Sequence, residues 1–191
     1  MINESEIIQA IARGGKQQFA KLYDHFSDRV YNTALSYSKN AEDAEEITQD
    51  VFVKIFKNAA SFQGNAALST WIYRITVNTS LNYLKRKNRF SLFKNNFADA
   101  QTIDFEHPGV VLEKKENAVA LYAAMDCLPD SQKTAFILSY IEDLPRQEVA
   151  DIMQASLKSV ESLLQRAKKN MRSALEKSYP NRRKSKNQWS K

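Results

Sequence analysis

The sequence predicts an all-α protein with two helical domains, an N-terminal helix bundle and a C-terminal helix-turn-helix, joined by a flexible linker. Three observations lead to this prediction. Only four of the 191 residues are glycine and four are proline, whereas residues that favour helices are abundant. Apolar residues recur at steps of three and four through most of the chain. That pattern lapses in one segment of roughly 25 residues, which is too long for a routine connection inside a compact domain.

Composition narrows the class of protein further. The net charge of +6 and the pI near 9.3 are typical of proteins that bind nucleic acids or anionic surfaces. The single cysteine, Cys127, excludes an intramolecular disulfide and a cysteine-based zinc site. We find no signal peptide and no apolar run that approaches about 18 residues. The sequence therefore predicts a cytoplasmic protein without membrane insertion.

Four helices are expected in the N-terminal domain, residues 1–90. The first three end at the Gly-Gly pair of 14–15, at Ser38 and at Ala60. Gly64 and Asn65 then interrupt the helical pattern, and the hydroxyl of Ser69 is expected to cap the fourth helix. In the third helix Ile47, Val51 and Ile55 form a stripe at four-residue steps, which predicts a buried face.

The fourth helix, within "LSTWIYRITVNTSLNYLKRK" (68–87), has two unlike faces. One arc is apolar and is expected to hold the helix to its bundle; it consists of Tyr73, Val77, Leu81 and Leu84. Trp71 lies away from that arc, on a face that is otherwise mostly polar and basic and that holds Arg74, Asn78, Asn82, Lys85 and Arg86. A tryptophan among amides and guanidinium groups suggests that this face contacts something other than the core.

Residues 91–115 have no sustained helical periodicity and are predicted to form the linker. Helical periodicity resumes over 116–177. Pro129 is expected to open a helix that runs to about Ile141, because proline is favoured at the first helical position. Pro145 opens a short helix, and after a tight turn Ser156 caps a longer helix. This succession is the sequence outline of a helix-turn-helix. The end of the chain, 178–191, is basic and is expected to be disordered.

The long helix of this second domain is strongly amphipathic. Its apolar face consists of Val160, Leu164, Ala167, Met171 and Leu175. Its opposite side carries amides, hydroxyls and charges that are suited to base edges and phosphates; these candidates are Lys158, Ser159, Glu161, Ser162, Gln165, Arg166 and Lys169. An ordinary surface helix can be charged in the same way, so the charge alone does not decide between the two interpretations.

Several stretches together resemble a known family. "AEDAEEITQDVFVKIFK" (41–57), "FQGNAALSTWIYRITVN" (62–78) and "YLKRK" (83–87) are similar to the second conserved region of extracytoplasmic-function (group 4) bacterial sigma factors. "LPDSQKTAFILSYIEDLPRQEVADIMQASLKSVESLLQRAKKNM" (128–171) is similar to their fourth region. The order of the stretches and the linker between them match as well, so the resemblance covers most of residues 16–175.

The resemblance implies a promoter-specific transcription initiation factor that is not an enzyme and needs no cofactor or metal. Its partners would be the RNA polymerase core, through the β′ clamp helices and the β flap, and promoter DNA. The family's usual further partner is a membrane-anchored anti-sigma protein. The implied core-binding residues lie on an exposed stripe of the third helix, which holds Glu46, Asp50 and Lys54 and has Gln49 on its flank. A solvated charged face stabilised by neighbouring charges is the alternative interpretation of that stripe.

The resemblance also implies where the −10 promoter element binds. The loop before the fourth helix would hold a flipped base and the helix would meet the strand, with these residues: Gln63, Gly64, Asn65, Ser69, Trp71, Arg74, Asn78, Asn82, Lys85 and Arg86. An aromatic ring there can replace the stacking lost on strand separation. Alternatively the ring of Trp71 folds over the core at the start of the helix. The two roles can coexist, because tryptophan is seldom fully buried.

Three positions depart from the family pattern. Pro145 stands where serine or threonine is common, Gln154 where glycine is common in the turn, and Glu161 where a basic residue is frequent. The last departure puts the family's −35 contact pattern in doubt for this chain. A helix-turn-helix regulator that binds duplex DNA without the polymerase core is the competing prediction. It shares the C-terminal domain but gives no role to Trp71 and its neighbours.

Overall fold

The computed structural model describes residues 4–93 and 112–178, and all the regular structure in these ranges is helical. The first range contains α1 (Glu4–Ala12), α2 (Lys16–Ser38), α3 (Ala41–Asn58) with a 3-10 turn at Ala59–Ser61, and α4 (Leu68–Phe93). The second contains α5 (Leu112–Asp126), α6 (Asp130–Phe136) with a π-helical turn at Ile137–Ile141, α7 (Arg146–Met153) and α8 (Leu157–Ser178). The predicted all-α class with two helical units is confirmed.

The first helical unit packs α1 to α4 around one aliphatic core. The predicted stripe of α3 is fully buried there, since Ile47, Val51 and Ile55 have no exposed surface. Side chains from the other three helices complete the same cluster, among them Ile8, Leu22, Val30, Leu68 and Ile72. Each such side chain contributes about 1.5–3 kcal/mol when it leaves water, so this cluster is the main source of stability in the unit.

Local signals fix the ends of the first helices. Gly14, at φ 87°, ends α1 in a conformation that other residues rarely adopt. A Cβ at Gly15 would lie 2.8 Å from the carbonyl oxygen of Ala10, so the neighbouring position also requires glycine. At the start of α3, Asn40 Oδ1 accepts a hydrogen bond from the Asp43 N–H at 2.8 Å. The predicted Gly-Gly stop is therefore confirmed, and Asn40 is the cap of the third helix.

The predicted cap of α4 is wrong. The helix begins at Leu68, one residue before Ser69, so Ser69 lies within the first turn. The carboxylate of Glu4 accepts a hydrogen bond from the Leu68 N–H at 3.0 Å instead. An acid from α1 thus satisfies an amide at the positive end of the α4 dipole. The contact joins residues far apart in the sequence, which is why local patterning could not reveal it.

The predicted role of the apolar arc of α4 is also wrong. Tyr73 and Val77 belong to the core of the second unit, and Leu81 and Leu84 pack against that same core. The face of α4 toward the first bundle begins with the apolar Leu68 and Ile72, but farther along the helix Thr76 and Ser80 are fully buried. The hydroxyl of each donates to a carbonyl of its own helix four residues earlier, at 2.9 Å. Because their polar atoms are satisfied locally, these residues can face a core, and the apolar arc is free for the other unit.

The second helical unit places α8 across α5, α6 and α7. The apolar face predicted for α8 is confirmed: Val160, Leu164, Ala167 and Met171 are buried. The helix after Pro129 reaches Ile141 as expected, but its last turn widens into a π-helical turn, where the Glu142 N–H donates to the Ile137 carbonyl at 3.0 Å. The buried Ser139 hydroxyl in this turn has no hydrogen-bond partner among the described residues.

Helix boundaries differ from the predictions on both sides of the linker. α4 continues to Phe93 and α5 already begins at Leu112, so both helices extend into the segment predicted as a linker. The remainder of that segment, 94–111, lies outside the described residues. The basic tail predicted over 178–191 also lies outside them, apart from the helical end of α8 at Ser178.

Candidate nucleic-acid and polymerase interfaces

A short turn, residues 154–156, joins α7 and α8. Ser156 caps α8, because its Oγ accepts a hydrogen bond from the Ser159 N–H at 3.2 Å. Gln154 ends α7 at φ 53°, the left-handed region in which glycine is the least strained residue. The departure noted in the sequence is therefore tolerated, since Gln154 still donates its N–H to the Asp151 carbonyl at 3.3 Å. The predicted cap and turn are confirmed.

We expect Ser156→Ala to lower the free energy of unfolding by about 1 kcal/mol, because the Ser159 N–H loses its acceptor at the N-terminus of α8. Urea denaturation followed by circular dichroism measures this change. Ser173→Ala, an exposed serine farther along the same helix, is the matched control and should change the midpoint little. Equal midpoints for Ser156→Ala and the control would show that the cap does not stabilise the fold.

The side of α8 that faces away from the core is open to solvent. Six of the seven predicted contact residues are exposed there: Lys158, Ser159, Glu161, Gln165, Arg166 and Lys169. Ser162 is half-buried, and its carbonyl accepts a hydrogen bond from Arg166 Nε at 3.3 Å. The structure thus presents amide, hydroxyl, carboxylate and cationic groups together on one helix face, from its first turn onward.

Trp71 lies at the start of α4 against the preceding loop. Its ring is half-buried and tilts against the ring of Phe62, with centroids 5.3 Å apart. Gln63, Gly64 and Asn65 form the exposed part of the loop, where Gly64 has φ 70° and the Asn65 side-chain amide donates to Gln63 Oε1 at 3.1 Å. Trp71 therefore supports the loop and still presents part of its ring at the surface.

The polar face of α4 meets the second helical unit. Arg74 donates from Nε and Nη2 to the carbonyl of Asp151, at 3.1 and 2.6 Å. Lys85 pairs with Asp130 across 3.1 Å. Asn78 is exposed and lines the cavity between these two contacts, whereas Asn82 is exposed farther along α4. Three of the predicted strand-binding residues are therefore turned toward α6 and α7.

The two basic residues that follow Lys85 on α4, Arg86 and Lys87, face α3. Arg86 Nη2 lies 3.3 Å from Glu46 and also over the ring of Tyr83. Lys87 pairs with Asp43 at 2.6 Å. The structure thus places Arg86 in an intramolecular ion pair on an exposed surface, where such a pair is weak, typically 0–1 kcal/mol. A phosphate could replace Glu46 as its partner at little cost.

The charged stripe of α3 is less exposed than the spacing suggested. Glu46 and Gln49 are exposed, but Asp50 and Lys54 are half-buried. Lys54 donates to the hydroxyl of Thr79 on α4 at 3.0 Å. The stripe predicted to be exposed is therefore only partly exposed, because α4 covers one side of it.

An aromatic patch beside this stripe was missed at the sequence level. Tyr23, Val53 and Phe56 are 44–49% exposed although they are apolar. The ring of Phe19 packs edge-on against Phe56 with centroids 5.5 Å apart, which holds the patch in place. The available signal was that Val53 and Phe56 follow Gln49 at steps of four and three, away from the buried stripe of the same helix. Exposed apolar patches of this kind commonly mark protein interfaces.

Tyr73 and Glu142 form a half-buried polar contact between the two units. The tyrosine hydroxyl donates to Glu142 Oε2 at 3.2 Å. Burial is the largest influence on Glu142 and raises the pKa of its carboxyl above the ordinary value, against hydrogen bonds from Thr33 and Tyr73 and the charge of Arg29. Burial likewise raises the pKa of Tyr73. The site therefore favours a neutral side chain at position 142.

We expect Glu142→Gln to raise the melting temperature at neutral pH. Because the carboxyl pKa is raised in the folded state, the contribution of this group to stability is fully present when the pH is below the ordinary carboxyl pKa. That contribution is lost as the pH rises through the folded-state pKa. Glutamine removes the buried charge and keeps an oxygen for Tyr73. Thermal denaturation at neutral pH and below about pH 4 measures the difference, which should shrink at the lower pH. A melting temperature lowered at neutral pH would contradict the argument.

Two protein-family models match this chain. Residues 22–90 match the model of Sigma-70 region 2, and residues 118–171 match the model of Sigma-70 region 4. The two matches fall on the two helical units and together cover well over half of the chain. The chain belongs to the sigma-70 family. It is an extracytoplasmic-function sigma factor, which binds RNA polymerase core and directs promoter-specific initiation of transcription. Sigma factors are initiation factors and not themselves catalysts.

Curated relatives agree with this assignment. RNA polymerase sigma factor SigV of Bacillus subtilis is 32% identical over 139 residues, which is 73% of this chain and 79% of the relative. RNA polymerase sigma-H factor of Pseudomonas aeruginosa is 25% identical over 167 residues, covering 83% of this chain and 86% of the relative. The likeness therefore extends over both conserved regions and the segment between them.

Two solved structures share the fold of this sigma factor. CnrH, solved with the cytosolic domain of CnrY, superposes with a TM-score of 0.64 at 17% identity, over 91% of this chain and 97% of that one. The sigma factor RpoE of Bartonella quintana, solved with the anti-sigma factor NepR, gives 0.65 at 19% identity, over 84% and 98%. Among the described residues, no helix is long and apolar enough to cross a bilayer.

Proposed function

We propose that this sigma factor binds polymerase core, the −10 strand and the −35 duplex through three separate surfaces. The side of α2 and α3 with the aromatic patch binds the polymerase core, the loop with α4 binds the −10 strand, and α8 binds the −35 duplex. The observation that carries the proposal is the order of the matched regions on two helical units with unlike surfaces. We accordingly assign residues 1–90 to the −10 and core functions and residues 116–177 to −35 recognition.

The core-binding proposal rests on a continuous exposed surface along α3. Gln49, Val53 and Phe56 follow one another on the exposed side of the helix, and the ring of Tyr23 of α2 contacts their neighbour Phe52 with centroids 4.5 Å apart. Exposed Glu46 adds a carboxylate at one end of this surface. An apolar centre with a polar rim is the usual composition of a protein interface. We therefore add Tyr23, Val53 and Phe56 to the stripe predicted from the sequence.

The −10 proposal rests on the loop and on the first turns of α4. The loop exposes the amides of Gln63 and Asn65, which can pair with the edge of an unstacked base. Trp71, which is partly exposed, offers a flat surface beside them, and stacking there recovers about 1–3 kcal/mol per base. Asn78 and Asn82 continue the face at a four-residue step, with Lys85 and Arg86 as phosphate partners beyond them.

The −35 proposal rests on the exposure of α8 and on the fixed start of that helix. The Ser156 cap sets the position of the first turn, so Lys158, Glu161 and Gln165 are presented by a rigid element. Amides and cations read adenine and guanine edges, and a carboxylate accepts from cytosine. Arg166 and Lys169, farther along, are placed to contact phosphates.

Further parts of the proposal concern compartment, chemistry and regulation. We place the protein in the cytoplasm, where its family acts on RNA polymerase, and assign it no catalytic activity of its own. An anti-sigma factor is the proposed regulatory partner. Both structural neighbours named above were solved in complexes, one with the anti-sigma factor NepR and one with the cytosolic domain of CnrY. Co-purification from the native host tests this partner.

We expect Phe56→Lys to reduce the affinity for RNA polymerase core at least roughly tenfold, because an ammonium would enter the apolar centre of the interface. A pull-down of core polymerase with a titration of the tagged protein measures the change. Tyr140→Lys, which alters an exposed aromatic of the second unit, is the matched control and should bind nearly as well as the unaltered chain. Equal binding by both variants would remove the patch from the core interface.

A further inference from the structure

The start of α4 has no cap from its own stretch of sequence. The Trp71 N–H donates to the Ala67 carbonyl at 3.1 Å, which places Ala67 at the N-cap position of the helix. Alanine has no side-chain acceptor and is among the least favourable residues at that position. The N–H of Leu68, the first helical residue, has no acceptor within its own helix. The helix that carries the −10 surface therefore needs an acceptor from another part of the chain.

Glu4, the first residue of α1, supplies that acceptor. Its Oε2 accepts the hydrogen bond from the Leu68 N–H at 3.0 Å. The carboxylate also places a negative charge at the positive end of the α4 dipole. A hydrogen bond to an ionised acceptor is about twice as strong as one between neutral groups. Glu4 thus does for α4 what Asn40 does for α3 from the neighbouring position in the sequence.

The same helix, α1, also holds the chain before the −10 loop, residues 62–67. It packs against the 3-10 turn Ala59–Ser61, which comes directly before that loop. Ile8 and Ile11 of α1 are each 1% exposed, and they share one core cluster with Ala59 and Leu68. α1 therefore contacts the structure at both ends of the loop, through apolar packing at one end and through the Glu4 carboxylate at the other.

The geometry of the −10 loop depends on where α4 begins. Gln63, Gly64 and Asn65 are exposed, and the Asn65 side chain bonds to Gln63 within the loop itself. The ring of Phe62 packs against Trp71, which belongs to the first turn of α4. A shift of that first turn would move the indole and the ring that supports it together. The position of both rings therefore follows from the contact that fixes the first helical residue.

We propose that α1 positions the −10 loop: Ile8 and Ile11 hold the turn before the loop, and Glu4 caps the helix after it. This inference rests on the proposed function of the loop and names Glu4 as a positioning residue for it. Glu4 acts through the first turn of α4 and contacts no DNA itself. A chain without this carboxylate keeps every −10 residue but loses the fixed start of the helix that arranges them.

The cap itself is tested by amide hydrogen exchange at Leu68, followed by two-dimensional nuclear magnetic resonance. We expect Glu4→Ala to raise the exchange rate of this N–H roughly fivefold, the usual effect of losing a helix cap. Glu4→Gln keeps an acceptor oxygen at the same length and should raise the rate less. Glu42→Ala removes an exposed acid from the first turn of α3 and is the matched control, which should leave Leu68 unchanged. An unchanged rate in Glu4→Ala would overturn the inference. This readout involves neither DNA nor polymerase, so it stands apart from any failure of the proposed function.

The effect on the loop is tested with the polymerase holoenzyme at a promoter that this sigma factor uses. We expect Glu4→Ala to reduce promoter opening roughly fivefold while its affinity for core polymerase stays the same. Permanganate reactivity of thymines in the −10 element measures opening, and a pull-down measures core binding. Glu42→Ala should change neither quantity. Equal losses of opening and of core binding would show a general loss of stability and would overturn the inference, as would unchanged opening together with faster exchange at Leu68.

A rescue variant separates capping of α4 from a general role of α1 in packing. Ala67→Ser gives α4 a hydroxyl acceptor at its own N-cap position. Combined with Glu4→Ala, it should restore most of the lost opening, whereas alone it should change opening little. A loss that arose within α1 would not be corrected from position 67, so failure of the rescue would overturn the inference. Unchanged opening in both Glu4→Ala and Trp71→Ala would instead contradict the proposed function of the loop, and this inference with it.

Discussion

Trp71→Ala is expected to reduce promoter opening by the polymerase holoenzyme roughly tenfold, within the 1–3 kcal/mol that stacking on one base contributes. The ring is half-buried against Phe62 and keeps an exposed part beside the −10 loop. Core binding should be unchanged, because the proposed core surface lies on α2 and α3. Permanganate reactivity of thymines in the −10 element measures opening, and a core pull-down measures binding.

Two further variants separate the possible roles of this ring. Trp71→Phe keeps an aromatic surface and should retain most of the opening activity. Phe62→Ala removes the side chain that supports Trp71 and leaves the indole in place. A loss equal to that of Trp71→Ala would show that Trp71 acts by bracing the loop, whereas a small loss would favour stacking on the base. Unchanged opening in both alanine variants would show that the position is structural only.

Changes on α8 are expected to affect −35 recognition in two distinguishable ways. Arg166→Ala should weaken duplex binding uniformly across sequences and lower the salt dependence by about one phosphate contact. Gln165 substitutions should change the preferred base, because each good bidentate contact discriminates by about 1–3 kcal/mol. Selection of bound duplexes from a randomised pool, with the holoenzyme at two salt concentrations, measures both effects.

The control for α8 is Ser173→Ala, which lies beyond the proposed contact residues of the same helix. It should leave affinity and base preference unchanged. An unaltered base preference across several Gln165 variants would count against direct readout there. An unaltered salt dependence in Arg166→Ala would show that its guanidinium contacts no phosphate and keeps only its own-helix hydrogen bond to Ser162.

What the sequence predicted correctly is mostly local. The Ser156 cap, the buried face of α8 and the stripe Ile47–Val51–Ile55 each follow from residue type and helical spacing, and the structure confirms them. Such features depend on neighbours three and four residues away. The two faces predicted for α4 are not separated in this way, because Val77 and Leu81 line the same cavity as Arg74, Asn78 and Lys85.

The errors concern contacts between distant parts of the chain. Periodicity shows that Tyr73 and Val77 share an apolar face, but it does not show which partner covers that face. The Glu4 cap of α4 joins residues 64 positions apart and has no local signature. The ion pairs of Arg86 and Lys87 with α3 likewise depend on how two helices cross. These contacts required the structure.

The most direct test of the account is transcription from fragmented genomic DNA of the host by purified core polymerase, with and without this chain. Sequencing of the transcript starts supplies the readout. We expect new starts that depend on the chain and share two upstream elements, with the farther upstream element altered in starts obtained with Gln165 variants. The absence of any start beyond those made by core alone would contradict it.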